Sequence, residues 1–468
     1  SANRIIEFQG GYMQQIFYVI CFLSFLLILG VFIKSKVKIF QELFIPASVI
    51  GGFIGLIFGP EVLGKVFSFS LPAAWLKEMA LLPGILIVPV VAAVPLGLEF
   101  KGSNGKGVVR DVGLMGGILF IATFLQEIVG YFVNFICTRF LNIDLYGSFG
   151  VELNAGFSGG HGTAGMIGRT LQEMNMDYWA VAQGIATTTA TFGLIGGILF
   201  GIFLINKACR KGETSLLKKP SDIPMELKRG YYTDISKQGS IGRETMLSSS
   251  IDALAFHAAI IFSVCGISYI ILMIIKKYKI PVLSSFSVWA FAMVIMIIVW
   301  KVIKKLGLEW CVDTKVKSKI TSMLTEFAVV SAVATLPLRA VFSYFIPIMA
   351  MMILGFIATW WCIKYFSYKY FKGNYAFERA VAMLGTCLGV FLTGLLLLRI
   401  CDPEFSTPVL GDYSLGFSLT ALIGPILMVS CINLSLAYGP LIPILLNIGL
   451  MAIFYIIMVG LDKKGKSS

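Results

Sequence analysis

The sequence predicts an all-α polytopic membrane protein made of two inverted five-helix repeats, each with a re-entrant or broken helix segment, plus one extra C-terminal transmembrane helix. Of its 468 residues, 57% are hydrophobic and 13% are charged. Apolar runs long enough to cross about 30 Å of hydrocarbon recur along the whole chain. A spanning helix satisfies its own backbone hydrogen bonds and an open strand in lipid does not, so these runs are predicted to be helices.

Charge and cysteine usage narrow the class of partners. The formal net charge is +13, but lysines and arginines gather between the apolar runs and form no patch interleaved with aromatics. No nucleic-acid partner is therefore expected, and membrane lipid is. The nine cysteines include no CxxC pair and no ligand spacing with histidine, so neither a disulfide framework nor a transition-metal site is expected.

Candidate spans fall on both sides of one long polar segment. Five spans come first, at residues 15–32, 43–58, 80–98, 114–136 and 179–205. The basic segment 206–250 is interpreted as a cytoplasmic linker. Six more spans follow, at residues 251–274, 282–300, 320–338, 344–361, 417–436 and 441–459.

The placement of lysine and arginine predicts the orientation, because short loops rich in these residues stay cytoplasmic. The basic stretches fall on one side if the N-terminus is outside; they are residues 34–38, 101–110, 206–250, 301–319, 364–372 and 463–466. Only Lys276, Lys277 and Lys279 disagree. A multi-pass protein of the cell membrane with a cytoplasmic C-terminus is expected.

Because the number of spans before the linker is odd, a second set of five similar spans has the opposite orientation in the membrane, as in many secondary transporters. Two glycine-rich stretches support this repeat: YGSFGVELNAGFSGGHGTAG with Glu152, and NYAFERAVAMLGTCLGVFLTG with Glu378. The predicted domains are an N-terminal repeat at 1–205 with its broken segment at about 146–170, the linker at 206–250, a C-terminal repeat at 251–440 with its broken segment at about 376–400, and an extra helix and tail at 441–468.

The stretch FSGGHGTAG is the strongest functional signal. Its glycines raise the free-energy cost of a continuous helix and so favour a break in it. Non-helical backbone at membrane depth is tolerated only where it is buried in protein or lines a water-filled cavity. Carbonyls at a break suit sodium, and amides at a helix start suit a carboxylate. Ser158 and Thr163 add hydroxyls, and His161 can donate to an anion. The alternative is close helix packing through small residues.

Neutral oxygens elsewhere suit a dehydrated alkali cation. In ATTTATFGLIGG, Thr187 and Thr191 are one turn apart and share a face, although threonines in helices also bond back to carbonyls. Asn154 and Asn433 are further neutral candidates.

In the second half, Thr386, Gly389 and Thr393 lie in the glycine-rich stretch. The guanidinium of Arg399 can bind a carboxylate through two hydrogen bonds. The carboxylates Glu152, Glu326 and Glu378 are costly at membrane depth and are therefore site candidates.

SGGHGTAG followed by ATFGLIGG closely resembles the sodium/glutamate symporter family, and the specific match covers residues 154–197. The resemblance implies sodium-coupled symport of glutamate or a related carboxylate by alternating access, with sodium as coupling ion and no other cofactor. It also implies one re-entrant loop in each half, a homodimer and an elevator-like movement.

The resemblance places SGGHGT in the first re-entrant loop and Thr191, Phe192 and Gly193 in the helix after it. The second loop, GTCLGVFLTG, keeps the glycine and threonine character without the GGxGT signature. The predicted substrate contacts are Ser158, Gly159, Gly160, His161, Gly162, Thr163, Thr386, Thr393 and Arg399. The predicted sodium ligands are Asn154, Gly160, Thr187, Thr191, Gly389 and Asn433.

Other functions stay open. A transporter of the same fold could take a different organic anion or coupling cation. A passive channel is disfavoured, because two unlike broken loops suit alternating access better than a symmetric filter. A distant alternative is an intramembrane hydrolase with Ser158 or Cys387 as nucleophile and His161 as base, but no orienting carboxylate or oxyanion partner is marked, so no enzyme is expected.

Overall fold

The computed structural model describes residues 12–43, 45–60, 62–66, 71–97, 106–215, 229–278, 283, 287–402 and 407–466. These residues form eighteen α-helices and contain no strand. The first nine are α1 (Tyr12–Lys36), α2 (Lys38–Glu42), α3 (Ala47–Ile57), α4 (Leu63–Val66), α5 (Ala73–Ala92), α6 (Lys106–Phe140), α7 (Val151–Phe157), α8 (Gly160–Glu173) and α9 (Trp179–Lys211). The others are α10 (Ala253–Lys277), α11 (Val288–Lys305), α12 (Thr314–Ala334), α13 (Leu338–Ser343), α14 (Phe345–Tyr370), α15 (Ala376–Leu388), α16 (Phe391–Cys401), α17 (Val409–Tyr438) and α18 (Leu441–Lys466).

Eight of these helices are long and apolar enough to cross a membrane: α1, α5, α6, α9, α10, α14, α17 and α18. The predicted class, an all-helical protein with several candidate spans, is confirmed. The inverted arrangement of the repeats and the orientation of the termini stay predictions. Parts of the basic stretches used to predict orientation, including residues 101–105, 216–228 and 279, lie outside the described residues.

Three predicted spans have no helix of this kind. At 43–58 the structure has α3, which is 11 residues long and therefore spans about 17 Å, less than a bilayer core. At 282–300 and 320–338 it has α11 and α12, whose ends are rich in lysine. Residue 98, the end of the third predicted span, and residue 282, the start of the seventh, lie outside the described part of the chain. The apolar run at 43–58 is therefore longer than the helix that it forms, whereas α11 and α12 differ from the other candidate spans by the lysines near one end.

The chain divides into two compact units, and each draws on both halves of the sequence. The first comprises Ser1–Glu99, His161–Gly184 and Met225–Phe342; the second comprises Phe100–Gly160, Ile185–Pro224 and Ser343–Ser468. The predicted domains follow the sequence order instead, as two consecutive repeats and a linker. Those repeat boundaries remain a prediction about internal symmetry.

The core of the first unit lies among α1, α3, α5 and α12. Leu23 and Leu26 of α1 are buried with Met79 of α5 and Val330 of α12. The helices come close because small residues face one another, and the hydroxyl of Ser331 on α12 donates to the carbonyl of Met79 at 2.6 Å.

Two aspartates begin long helices of this unit. Asp252 caps α10 by accepting from the N–H groups of Leu254 and Ala255. Asp313 caps α12 by accepting from the N–H groups of Lys315 and Val316, and its carboxylate also accepts from Arg243 at 2.9 Å. Burial alone would raise the pKa of Asp313, but these hydrogen bonds outweigh burial and hold its pKa below the usual 3.8.

The second unit is organised around α6, on which α14, α17 and α18 pack. Close approach depends on glycines: the Gly116 nitrogen lies 2.8 Å from where a β-carbon on Gly416 would be. Two further helices, α15 and α16, pack against each other and bury Val381 and Leu397 with Ile205 of α9.

A buried ion network ties four helices of the second unit together. Arg379 of α15 is fully buried and pairs with Asp412 of α17 at 2.7 Å and with Asp111 of α6 at 3.3 Å. Arg110 pairs with Asp111 at 2.6 Å and with Asp462 of α18 at 2.5 Å. The guanidinium of Arg379 is thus compensated by carboxylates on two other helices, which holds the start of α15 in place.

Candidate functional site

The helix is interrupted inside the stretch that the glycine density singled out. The helix α7 ends at Phe157, Ser158 and Gly159 form a turn, and α8 begins at Gly160. Gly160 has φ +67°, a left-handed conformation that glycine adopts without steric cost. The predicted break therefore lies at Ser158 and Gly159, immediately before α8.

A second interruption lies in the other glycine-rich stretch. The helix α15 ends at Leu388 and α16 begins at Phe391. Between them, Gly389 has φ −138° and ψ −104°, and Val390 is extended with φ −148° and ψ 173°. The amide of Val390 donates to the hydroxyl of Thr393 at 3.4 Å, so Thr393 helps to start α16.

The two interruptions touch. A β-carbon on Gly160 would lie 2.5 Å from Cγ1 of Val390 and 3.5 Å from the carbonyl oxygen of Gly389. Gly193 of α9 packs against both broken segments, because a β-carbon there would meet the carbonyl oxygen of Leu388 and the ring of Phe157. Glycine is thus required at Gly193 by close approach, and at Gly160 by close approach as well as by its left-handed conformation.

A glutamine on α6 joins the two interruptions by hydrogen bonds. The hydroxyl of Ser158 donates to Oε1 of Gln126 at 2.7 Å. The amide of Gln126 donates to the carbonyl of Cys387 at 2.7 Å and to the hydroxyl of Thr359 on α14 at 2.9 Å. Since a hydroxyl has one proton, that of Ser158 is engaged by Gln126, which disfavours Ser158 as a nucleophile activated by His161.

Each interruption ends one helix and begins another. The last carbonyls of a helix and the first amides of the next have no partners within their helices, and they carry partial negative and positive charge. Amides at a helix start bind anions, and free carbonyls bind dehydrated cations. The contact between Gly160 and Val390 places the first residue of α8 beside the turn between α15 and α16.

Threonines line the hairpin of α15 and α16. Thr386 is buried, donates to the carbonyl of Ala382 at 3.1 Å and lies against the hydroxyl of Tyr413. Tyr413 in turn donates to the carbonyl of Phe391, the first residue of α16, at 2.8 Å. Thr386 and Thr393 are thus held on either side of the second interruption.

The rest of the first glycine-rich stretch lies in the first turn of α8. His161 is buried, whereas Gly162 and Thr163 are half-buried. Within the first unit, a β-carbon on Gly162 would lie 3.1 Å from Cδ1 of Ile87. A β-carbon on Gly165 would lie 2.7 Å from the carbonyl oxygen of Pro83, so the interpretation of glycines as close-packing residues holds there.

The threonine hydroxyls of α9 form hydrogen bonds within their own helix and to α7. Thr191 is buried and donates back to the carbonyl of Thr187 at 3.0 Å. Thr189, which the prediction did not include among the ligands, donates to the carbonyl of Glu152 on α7 at 2.8 Å. Thr187 and Thr191 stay predicted ligands.

The remaining predicted site residues are Arg399, Asn433 and Asn154. Arg399 is half-buried and nine residues beyond Val390, which is about 14 Å along α16. Asn433 is half-buried in α17. Asn154, in contrast, is one turn before Ser158, is buried and donates to the carboxylate of Glu127 at 2.8 Å.

Of the three predicted membrane-depth carboxylates, Glu326 is exposed on α12, and the other two share one local arrangement. Glu152 and Glu378 are fully buried in the first turns of α7 and α15. Each of these helices follows a residue with positive φ, Gly150 at 118° and Tyr375 at 52°. Glu152 accepts from the amide of Gly150 and from the hydroxyl of Tyr146, while Glu378 accepts from the amide of Ser215.

Sequence reasoning missed Gln126, Glu127, Thr359, Tyr413 and Arg379. A signal was available for the first two, because LQEIV places two adjacent polar residues within an otherwise apolar helix. No group of three or more histidine, cysteine, aspartate or glutamate side chains suited to a metal occurs in the part of the chain that the structure describes.

The helices and the contact between Gly160 and Val390 define a class: an α-helical protein with several candidate membrane spans and two interrupted helices. Comparison with known families extends this class to a particular one. Residues 12–395 match the sodium/glutamate symporter family, so the chain belongs to that family, which is a family of transporters. The resemblance found from SGGHGTAG and ATFGLIGG is thereby confirmed. A search of curated proteins found no match.

Proposed function

We propose that the protein is a sodium-coupled symporter of glutamate or a related carboxylate that works by alternating access. The observation that carries this proposal is the contact between Gly160 and Val390, the residues that stand at the two helix interruptions. Family membership supports sodium and glutamate as the transported species.

In the proposed mechanism, sodium binds first and the carboxylate second. Carbonyls at the ends of α7 and α15, with threonine hydroxyls, hold the cation. The bound cation and the amides at the helix starts then attract the substrate carboxylates. Either ion alone leaves its charge poorly compensated in a medium of low dielectric constant, so the two fluxes are coupled.

The proposed contacts follow from this mechanism. Substrate contacts are proposed at Ser158, Gly159, Gly160, His161, Gly162, Thr163, Thr386, Thr393 and Arg399. Sodium ligands are proposed at Asn154, Gly160, Thr187, Thr191, Gly389 and Asn433. Ser158, Gly160 and Gly389 have the strongest support, because each lies at one of the touching interruptions.

The remaining proposals concern the whole assembly. The division of each sequence half between two compact units supports an inverted repeat and an elevator-like movement of one unit. A homodimer and a cytoplasmic C-terminus are proposed as well. Cross-linking of single-cysteine variants in native membranes, and labelling from either side, test these points.

Uptake by purified protein in liposomes tests the function directly. We expect accumulation of labelled glutamate, or of a close analogue from a panel of acidic amino acids and dicarboxylates, only under an inward sodium gradient. Replacing sodium by potassium or lithium in the same liposomes tests the coupling ion. Folded protein that accumulates no member of the panel under any of these gradients contradicts the proposal.

A further inference from the structure

Tyr413 is a buried tyrosine outside the interrupted helices, and its hydroxyl reaches both sides of the second interruption. It lies near the start of α17 and is 0% exposed. Its hydroxyl donates to the carbonyl of Phe391 at 2.8 Å and is hydrogen-bonded to the hydroxyl of Thr386. Thr386 comes before the interruption at Gly389 and Val390, and Phe391 follows it. One side chain of α17 therefore links the end of α15 to the start of α16.

The hydroxyl protons of this network show which bonds depend on Tyr413. Tyr413 has one hydroxyl proton and donates it to the carbonyl of Phe391, so the bond to Thr386 uses the proton of Thr386. That proton has a second acceptor, the carbonyl of Ala382 one turn earlier in α15, at 3.1 Å. Removal of the Tyr413 hydroxyl therefore takes a donor away from Phe391 and leaves Thr386 with a partner in its own helix.

Aromatic packing holds the side chain of Phe391 as well. The ring of Tyr413 stacks on that of Phe391, with centroids 4.7 Å apart and an angle of 8° between the planes. Phe417, one turn further along α17, also packs on Phe391, at 4.9 Å between centroids. These ring contacts are kept in Tyr413→Phe, since only the hydroxyl is removed. One substitution therefore separates the hydrogen bonds of Tyr413 from its packing.

Gly394 of α16 leaves room for the hydroxyl of Tyr413 inside the hairpin. A β-carbon on Gly394 would overlap this hydroxyl and the carbonyl of Ala382. A β-carbon on Gly385 would lie 2.7 Å from the α-carbon of Gly394, so the backbones of α15 and α16 are packed against each other here. The hydroxyl of Tyr413 therefore contacts both helices of the hairpin at their close approach, and its loss is expected to loosen the turn between them.

We propose that Tyr413 is a positioning residue whose hydroxyl holds the backbone of the second interruption, the Gly389 carbonyl above all, in the arrangement that binds sodium. The inference rests on the proposed function, in which Gly389 is a sodium ligand. A backbone carbonyl has no rotamer to adjust, so its direction depends on the groups that hold the chain on either side of it. Tyr413 acts through Thr386 and Phe391 and is not itself a ligand.

Hydrogen–deuterium exchange on the purified full-length protein tests the positioning without depending on transport. Tyr413→Phe is expected to speed exchange of the amides from Thr386 to Thr393 by roughly twofold to tenfold, as for the loss of one buried hydrogen bond. Tyr438→Phe is the matched control, because it makes the same change at an exposed position of the same helix, and it should exchange like the wild type. Unchanged exchange of these amides in Tyr413→Phe overturns the proposal. Faster exchange spread evenly over the protein overturns it too, since that is general destabilisation.

The sodium dependence of uptake, at saturating substrate, tests the consequence for the site. Tyr413→Phe is expected to raise the sodium concentration for half-maximal uptake by roughly twofold to tenfold, with the maximal rate and the unfolding temperature close to those of the wild type. A lower maximal rate with the wild-type sodium dependence overturns the proposal. Absence of uptake in every protein, the wild type included, contradicts the proposed function, while the exchange result still decides whether Tyr413 holds the second interruption.

Two variants of Thr386 test the network from its other side. Thr386→Ser keeps the hydroxyl and should have the sodium dependence of the wild type. Thr386→Val removes the hydroxyl, and its effect on half-maximal sodium should be smaller in the Tyr413→Phe background than in the wild type, because the bond that it breaks is already lost. Equal effects in the two backgrounds contradict a network shared by the two residues.

Discussion

Cγ1 of Val390 lies 2.5 Å from the position that a β-carbon on Gly160 would occupy. The two residues are 230 positions apart, and each stands where a helix has been interrupted. Because one contact joins both interruptions, a change in the size of either side chain is expected to disturb both.

Gly160→Ala is expected to lower sodium-driven uptake by roughly tenfold or more. The left-handed conformation costs about 1–2 kcal/mol for a residue with a β-carbon, and the new methyl group would also overlap Val390. About 1.4 kcal/mol corresponds to a tenfold change. Uptake into liposomes at matched protein density measures the effect.

Three further variants separate the causes of this loss. Gly160→Ala with Val390→Ala should recover part of the uptake, because the overlap is relieved and the conformational cost remains. Gly162→Ala should be milder, since its β-carbon would meet only the flexible end of Ile87 at 3.1 Å. Gly266→Ala, a helical glycine with nothing near its β-carbon position, should resemble the wild type. Equal losses at Gly160 and Gly266 would show that the contact has no special role.

Gln126→Leu is expected to reduce uptake because it removes the side chain that joins the two interruptions. The variant leaves the hydroxyl of Ser158 and the carbonyl of Cys387 without their buried partner, which costs about 1–3 kcal/mol for each unsatisfied group. A double-mutant cycle with Ser158→Ala, read from uptake rates, should give a coupling energy of about 0.5–3 kcal/mol. Additive losses would show that Ser158 and Gln126 act independently.

The local features of the fold were predictable from the sequence, and the pairings were not. Dense glycine around Gly160 predicts a break because the cause, a positive φ, is a property of that residue itself. The bond between Ser158 and Gln126 joins residues 32 positions apart, and the pair of Arg379 with Asp111 joins residues 268 positions apart. No periodicity or spacing in a single sequence carries information of that kind.

The short helix at the second predicted span has a related cause. The run at 43–58 is apolar throughout, but the helix begins only at Ala47, after Pro46, and ends at Ile57. The proline before the helix start and the loop that precedes it belong to the apolar run but are not part of the helix. Hydropathy measures the apolar length of a segment, whereas the helical length also depends on where the backbone can begin and end a helix.

Arg379→Met is expected to lower the thermal stability of the protein in detergent by the largest amount in this set. The substitution leaves Asp111 and Asp412 near each other without their shared cation, and breaking a buried pair costs about 3–5 kcal/mol. Asp412→Asn combined with Arg379→Met should recover part of the loss, because one uncompensated charge is removed. Arg399→Met is the matched control: Arg399 is half-buried, and its loss should leave the unfolding temperature nearly unchanged.

Asp313→Ala is expected to destabilise the first unit by about 1 kcal/mol at neutral pH, since it removes the cap of α12. The folded pKa of Asp313 lies below its usual 3.8, so the charged form stabilises the fold fully above that value and the contribution is lost as the pH falls through the folded pKa. The difference in unfolding temperature between the wild type and Asp313→Ala should therefore narrow below about pH 4. Asp313→Asn keeps an oxygen that caps the helix and removes the titration. It should be more stable than Asp313→Ala at every pH, and the difference in unfolding temperature between these two variants should not change with pH. A constant difference between the wild type and Asp313→Ala from pH 7 to pH 3 would contradict an ionised cap at this position.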